Sequence, residues 1–198
     1  MLKRLLMILA VSLSLAFAPV APAGNTPVDS IRTTVEAILA ILKDDSLDKA
    51  GRRNAMTAEI GKRFDFAAMS QRTLATNWKK ATDKEKQDFT DLFRQLIQNS
   101  YVGKLEAYTN EVVEYPAEKA EGKKAVVETL IKTASADIPV NYKLYKKNHD
   151  WLVYDVIIEG VSLISNYRSS YQTIVKKEGF DGLMSKMKEK LKELETTG

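Results

Sequence analysis

The chain has no cysteine, one histidine and only nine glycines among 198 residues. Without cysteine there is no disulfide and no lipid-modified N-terminal residue. His149 alone cannot build a zinc site of the usual nitrogen and sulfur kind. Sparse glycine leaves no phosphate-cradling or dinucleotide-binding loop. Gly160-Val161-Ser162-Leu163-Ile164 is no nucleophile elbow, because the second glycine is missing, and no motif places a histidine base beside any serine. Carboxylates are plentiful but form no recognisable catalytic pair. A dominant charge is missing too: 30 basic side chains face 26 acidic ones, a formal net charge of +4, mixed along the chain, which argues against nucleic acid. These absences point to a non-enzyme without metal or cofactor.

The one continuous apolar run is Leu5 to Leu15, behind Lys3 and Arg4. It is shorter than the about 20 residues that span a bilayer, and Ala21-Pro22-Ala23 follows with small residues at both cleavage positions. Residues 1–23 therefore read as a signal peptide, with export to a bacterial periplasm or beyond. Residues 24–198 make a single domain of about 175 residues, long enough for a sizeable core. Losing Lys3 and Arg4 lowers the charge from +4 to +2.

Helical periods come first. Val28, Ile31, Val35, Ile38, Leu39 and Leu42 share one face, with Pro27 near the start. A more polar helix covers Leu47 to Lys62, and a short one Ala67 to about Trp78, with Phe66, Met69, Leu74 and Trp78 inward. Thr82 and Glu85 stand in capping-box register before the strongest helix, whose stripe is Phe89, Leu92, Phe93, Leu96, Ile97 and Tyr101 and which ends between Gly103 and Leu105.

The period then changes to two. Strands are predicted over Tyr108 to Tyr115, closed by Pro116, then Ala125 to Thr133, Ile138 to Lys146 and Trp151 to Ile158. The short connections make an antiparallel meander. In the last strand, strict alternation puts Trp151, Val153, Asp155 and Ile157 on one face and Leu152, Tyr154, Val156 and Ile158 on the other. Glu159-Gly160 turns the chain into a helix with Leu163, Ile164, Tyr167, Tyr171, Ile174 and Val175 on one stripe. Gly179 interrupts that helix, and Asp181 caps a last amphipathic segment. The predicted architecture is α+β: N-terminal helices, a four-stranded curved antiparallel sheet, and C-terminal helices packing back onto it.

Asp155 and Arg168 are the two charged residues to weigh in this last unit. An acid in a covered strand is costly unless paired or well hydrogen-bonded. One reading has Asp155 accepting bonds from Arg168 or nearby backbone and pinning helix to sheet. The other places Arg168 at a cavity mouth facing an anion, for which its guanidinium suits phosphate.

The segment Trp151-x-Val153-Tyr154-Asp155-Val156-x-Ile158-Glu159-Gly160-Val161-Ser162-Leu163, followed by Asn166-Tyr167-Arg168, resembles the most characteristic motif of the MlaC or toluene-tolerance family of periplasmic phospholipid-binding proteins. Phe64-x-Phe66 with Arg72, Leu74 and Trp78 resembles the family's N-terminal block, and Gly179-Phe180-Asp181-Gly182-Leu183 its C-terminal one. Ala75 stands where the family usually has glycine, and Tyr171 where it usually has phenylalanine.

The resemblance implies a carrier of diacyl phospholipid between an outer-membrane lipoprotein complex and an inner-membrane ABC transporter containing an MCE-domain protein, linked to outer-membrane lipid asymmetry. A carrier of another hydrophobe, or a non-catalytic adaptor with a solid core, are the alternatives. A phospholipid carrier needs an apolar cavity enclosed by sheet and helices. The inward-facing candidates to line it are Leu92, Phe93, Leu96, Tyr101, Val113, Val127, Val140, Tyr142, Leu144, Val153, Ile157, Val161, Tyr167 and Tyr171. No heptad or spare apolar helix is left over, so a monomer is expected.

Overall fold

Each helix begins where a side chain can satisfy its first free N–H groups. The computed structural model describes residues 26–106 and 111–197; the expected leader and the strand start at Tyr108 lie outside them. Helix α1 spans Pro27–Leu42, α2 Lys49–Arg63, α3 Phe66–Leu74 and α4 Asp83–Leu105. Thr26, Asp48, Asp65 and Thr82 each accept a hydrogen bond from a first-turn N–H, the usual work of an N-cap. Thr82 and Glu85 complete the capping box. The second helix starts after Asp48 rather than at Leu47 because Asp48 is its cap.

Strands β1 Val112–Glu121, β2 Lys124–Lys132, β3 Asp137–Lys147 and β4 Asp150–Ile158 follow, then β5 Val161–Ser162 and helix α5 Leu163–Thr197, broken at Gly179. The sheet order is β1-β2-β3-β4-β5, antiparallel throughout. The predicted α+β architecture is present with one more strand than the four expected, since a two-residue strand is too short to show a period. Strand β1 also runs through Pro116, the residue expected to close it. A proline is tolerated there because β1 is an edge strand and its register slips between Glu114 and Ala117, a bulge that needs no donor from it.

A second irregularity matters more. Lys143 pairs with Asp155 but Leu144 pairs with Val153, so β4 carries one extra residue at Tyr154. Such a bulge reverses the alternation beyond it. Trp151 and Val153 before it, and Val156 and Ile158 after it, are thereby in register with one face of β3: Val153 with Leu144, Val156 with Tyr142, Ile158 with Val140. Asp155 and Ile157 fall on the other face, against the strict alternation predicted above.

The apolar residues gather into three regions. Phe66, Met69, Leu74, Phe89, Phe93, Leu96, Leu163, Tyr171 and Leu183 join α3, α4 and α5 in a solid core, where Phe93 meets Tyr167 edge-on at 5.4 Å between ring centroids. The inner face of the sheet packs Ala125, Val127, Leu144, Trp151 and Val153 against Ile31, Val28 and Val35 of α1. Ile38, Met56 and Val102 join α1, α2 and α4.

On the outer face, Asp65 ties the start of α3 to the sheet. Its carboxylate accepts from Tyr145 Oη, from Lys147 Nζ at 3.1 Å and from Ala68 N–H at 2.9 Å, while its own N–H donates to Val153 O at 3.0 Å. Burial acts to raise its pKa, but the bonds from Tyr145, Ala68 and Lys147 outweigh burial and hold the carboxyl below its ordinary 3.8. A depressed folded-state pKa stabilises the fold above the unfolded value and stops doing so as pH falls through the folded one. Asp65→Asn should thus cost roughly 1–3 kcal/mol at neutral pH. In urea titrations across pH, the gap from wild type should stay constant above about pH 4 and close below it; a gap that widens on acidification contradicts this account.

Helix α3 ends at Ala75, whose φ of 50° and ψ of −115° leave the region favoured by side-chain-bearing residues, and the chain continues as a 3-10 turn over Ala75–Lys79 instead of the expected helix to Trp78. This is the position where the resemblance anticipates glycine, and glycine adopts positive φ without a Cβ clash. Ala75→Gly should therefore raise stability by about 1 kcal/mol, read as a higher urea midpoint at unchanged slope. A lower midpoint shows that the turn is not strained.

Candidate functional site

The inner face of the sheet is solid at one end and hollow at the other. Where β1 and β3 begin and β2 and β4 end, α1 stands off the sheet and encloses a cavity of about 360 Å³. Its floor is Val113, Ile131, Ile138, Val140, Tyr142, Val156 and Ile158 from the strands, and its roof is Ile31, Val35, Ile38, Leu39 and Leu42 from α1. Ile60 and Phe64 close one side; Ile97, Tyr101 and Leu105 from the C-terminal half of α4 close another, with Leu163 between. A volume within the about 300–1,000 Å³ of ligand sites, with mostly apolar walls and few polar groups, is the form of a pocket for a hydrophobe.

The polar wall residues are of two kinds. Arg63 is bound into the scaffold: it donates to Asp150 Oδ1 at 2.8 Å, to Trp151 O at 2.6 Å and to Thr34 Oγ1 at 3.2 Å. Gln98 donates to Thr57 O at 3.1 Å. Lys104, Glu111 and Glu159 instead belong to the rim, and Lys104 and Glu159 are exposed. Burial, and then the neighbouring Tyr167, push the Tyr101 hydroxyl above its ordinary pKa, so it stays a neutral phenol.

Of the fourteen lining candidates read from the sequence, Tyr101, Val113, Val140 and Tyr142 border this cavity. Leu92, Phe93, Leu96, Tyr167 and Tyr171 lie in the helical core, where burial pushes the Tyr167 and Tyr171 hydroxyls well up. Val127, Leu144 and Val153 lie in the solid half of the sheet face; Val153 is 0% exposed. The bulge at Tyr154 turns Ile157 to the outer face, and Val161 is 60% exposed in β5. The pattern missed, among others, the α1 roof, although its stripe was legible, Ile131 and Ile138 of the floor, and Val156 and Ile158, which the bulge brings inward.

Asp155 and Arg168 do not meet. Asp155, 5% exposed, accepts from Ser162 Oγ at 2.8 Å and from Ile164 N–H at 3.1 Å, with Lys143 Nζ 3.6 Å away. It pins the first turn of α5 to β4 through backbone. Arg168 donates from Nε to Arg72 O at 2.8 Å, joining α5 to α3, and does not border the cavity. Among the described residues no cluster of three or more His, Asp or Glu side chains is placed to hold a metal ion, and no helix is long and apolar enough to cross a membrane.

A family model described as MlaC protein matches residues 32–189, from within α1 to within α5. The chain belongs to the MlaC family. One relative, the intermembrane phospholipid transport system binding protein MlaC of Haemophilus influenzae, is 25% identical over 124 residues, 60% of this chain and 58% of that one. The toluene tolerance protein ttg2D of Pseudomonas putida is 25% identical over 173 residues, 84% of this chain and 80% of that one. Among solved structures, the phospholipid-binding protein of Ralstonia solanacearum in complex with a phospholipid superposes with a TM-score of 0.73 at 25% identity, over 83% of this chain and 96% of that one. The hollow between sheet and helices is thus set in a fold that this MlaC-family chain shares with a phospholipid-bound protein.

The division of the sheet face predicts a contrast. Ile138→Trp, at a half-buried wall position, should fill the void with little loss of stability. Val153→Trp, in the solid half, should overpack and cost about 1–3 kcal/mol. Thermal unfolding of both variants checks this, and equal losses would show that the cavity wall is as tightly packed as the core.

Proposed function

We propose that this protein is a soluble periplasmic carrier of diacyl glycerophospholipid, exported with residues 1–23 as its signal peptide, and that it is not an enzyme. The observation that supports this best is the apolar cavity of about 360 Å³, roofed by α1 and rimmed by charged side chains. Exposing two acyl chains to water costs on the order of 20 kcal/mol at about 0.8 kcal/mol per methylene. A carrier offsets that cost by substituting apolar wall for water, and it needs no group that makes or breaks a bond.

The amphipathic shape of the lipid matches the arrangement of the site. Acyl chains would lie on Ile131, Ile138, Val140, Val156 and Ile158 beneath Ile38 and Leu39, with the headgroup at the rim of Lys104, Glu111 and Glu159. Tyr101 and Tyr142 offer an apolar ring with a polar tip. Of the candidates read from sequence, Tyr101, Val113, Val140 and Tyr142 are the ones we assign to ligand contact, with Arg168 and Asp155 as structural anchors.

The name of the Haemophilus influenzae relative supports a place between two membranes. In this reading the carrier, a monomer, exchanges lipid with an outer-membrane lipoprotein complex and with the MCE-domain protein of an inner-membrane ABC transporter, and so serves outer-membrane lipid asymmetry.

Native mass spectrometry of the purified protein, with lipid identification after organic extraction, tests the proposal. The expected result is diacyl glycerophospholipid at defined stoichiometry, reduced severalfold in Ile138→Trp. Protein recovered empty from a phospholipid-rich host, with no uptake from liposomes, overturns it.

A further inference from the structure

The deep end of the cavity is closed by a wall that a second hollow shares. Glu159 at the rim directly follows Ile158, the register partner of Val140, whereas Phe64 bridges to Val153, the register partner of Leu144. Four residues of β3 separate those two levels, about 13 Å along the strand. On α4 the same direction runs from Lys104 at the rim back to Gln98, six residues away and about 9 Å deeper. Phe64 and Gln98 therefore stand where the far end of a chain entering past the rim would arrive.

Behind them lies a hollow of about 760 Å³ bordered by α2, the start of α3 and α4. Among the described residues, Phe64 and Gln98 are the two that border both spaces. Phe66 and Leu152 line the second space beside this wall, and its border at Ala58, Arg94 and Gln95 is exposed.

The side chains at the deep end are held in different ways. Arg63 is fixed by its bonds to Asp150, Trp151 and Thr34, and Gln98, 7% exposed, by its bond to Thr57 O. The Phe64 ring has no polar group and is placed by its backbone and by packing. Its N–H donates to Ile60 O at 2.9 Å, its main chain bridges to Val153, and the ring stacks on Phe66 at 6.1 Å between centroids. A ring held in this way is a rigid wall. Such a wall rejects one methylene too many, because overpacking costs more than that methylene gains by leaving water.

We infer that Phe64 sets the acyl-chain length this cavity accepts, as an end-stop whose removal joins the cavity to the hollow behind it. The inference rests on the phospholipid-carrier reading and adds chain-length selection to it. Gln98 is the polar half of the same wall, and its bond to Thr57 keeps it in place when the ring is cut back.

The test is competitive loading from vesicles containing equal amounts of dimyristoleoyl and dieicosenoyl phosphatidylglycerol, which share a headgroup and differ in chain length, each complex being counted by native mass spectrometry. The shorter lipid leaves a bilayer more readily, so the deciding quantity is the change in the long-to-short ratio from wild type to variant. Phe64→Ala should raise that ratio about tenfold, the worth of roughly two more methylenes buried. Adding Ala58→Trp, which fills the hollow from its far side, should return the ratio towards the wild-type value. An unchanged ratio in Phe64→Ala, or a rise that Ala58→Trp does not reverse, overturns the inference and leaves the carrier reading standing. If Phe64→Ala does not fold, the milder Phe64→Leu decides: it should raise the ratio about threefold, and no rise overturns the inference. Wild type that loads neither lipid overturns the carrier reading and this inference with it.

Discussion

One extra residue in β4 sets the geometry on which the rest of the molecule depends. The bulge at Tyr154 rotates the strand so that Val156 and Ile158 join Val153 on the inner face while Asp155 turns outward. An acid facing the inner apolar surface would be paid for by no partner. Facing outward, Asp155 accepts from Ser162 and from the Ile164 N–H, and so fixes where α5 begins. The positive φ values of Glu159 and Gly160, 49° and 82°, let the chain reverse within two residues between strand and cap. Strand, turn and helix start are therefore one unit, held by a carboxylate on one face and floored by aliphatic side chains on the other.

That unit separates a packed region from a hollow one. Helix α5 buries its stripe against α3 and α4, where Phe89, Phe93, Tyr167 and Tyr171 form a continuous aromatic cluster, and none of these four rings borders the cavity. Helix α1 covers the inner face of the sheet differently. Its N-terminal half packs directly through Ile31, whereas Ile38 and Leu39 further along look across the cavity. An unfilled apolar void forfeits dispersion contacts on every wall, so a ligand that fills it stabilises the fold it enters. In the carrier reading, stability and cargo binding are therefore coupled through the same side chains.

The residues legible as a site in the sequence divide along the same line. Tyr101, Val113, Val140 and Tyr142 were read as inward from alternation or helical period, and they border the cavity. Val153 and Ile157 were placed by the same rule and stand elsewhere, one in the solid half and one on the outer face. Apolar period reports that a side chain is inward; it carries no information on whether the space opposite is filled. Arg63 shows the complementary limit. It ends the polar helix α2, and its guanidinium joins Asp150, Trp151 and Thr34 across elements far apart in the chain, which no local pattern shows.

Local chemistry was enough to determine the order of helices and strands, the Thr82–Glu85 capping box, the antiparallel meander, the turn at Glu159-Gly160 and the break at Gly179, because each depends on residues within one turn or hairpin. The family likeness was likewise legible, since it rests on contiguous motifs. The tertiary structure alone decided which apolar faces close on one another and which enclose a void, and that Asp155 bonds to the start of α5 and Arg168 to Arg72. Those outcomes depend on strand register and on packing between segments distant in sequence, and a single inserted residue at Tyr154 is enough to exchange the two faces of a strand.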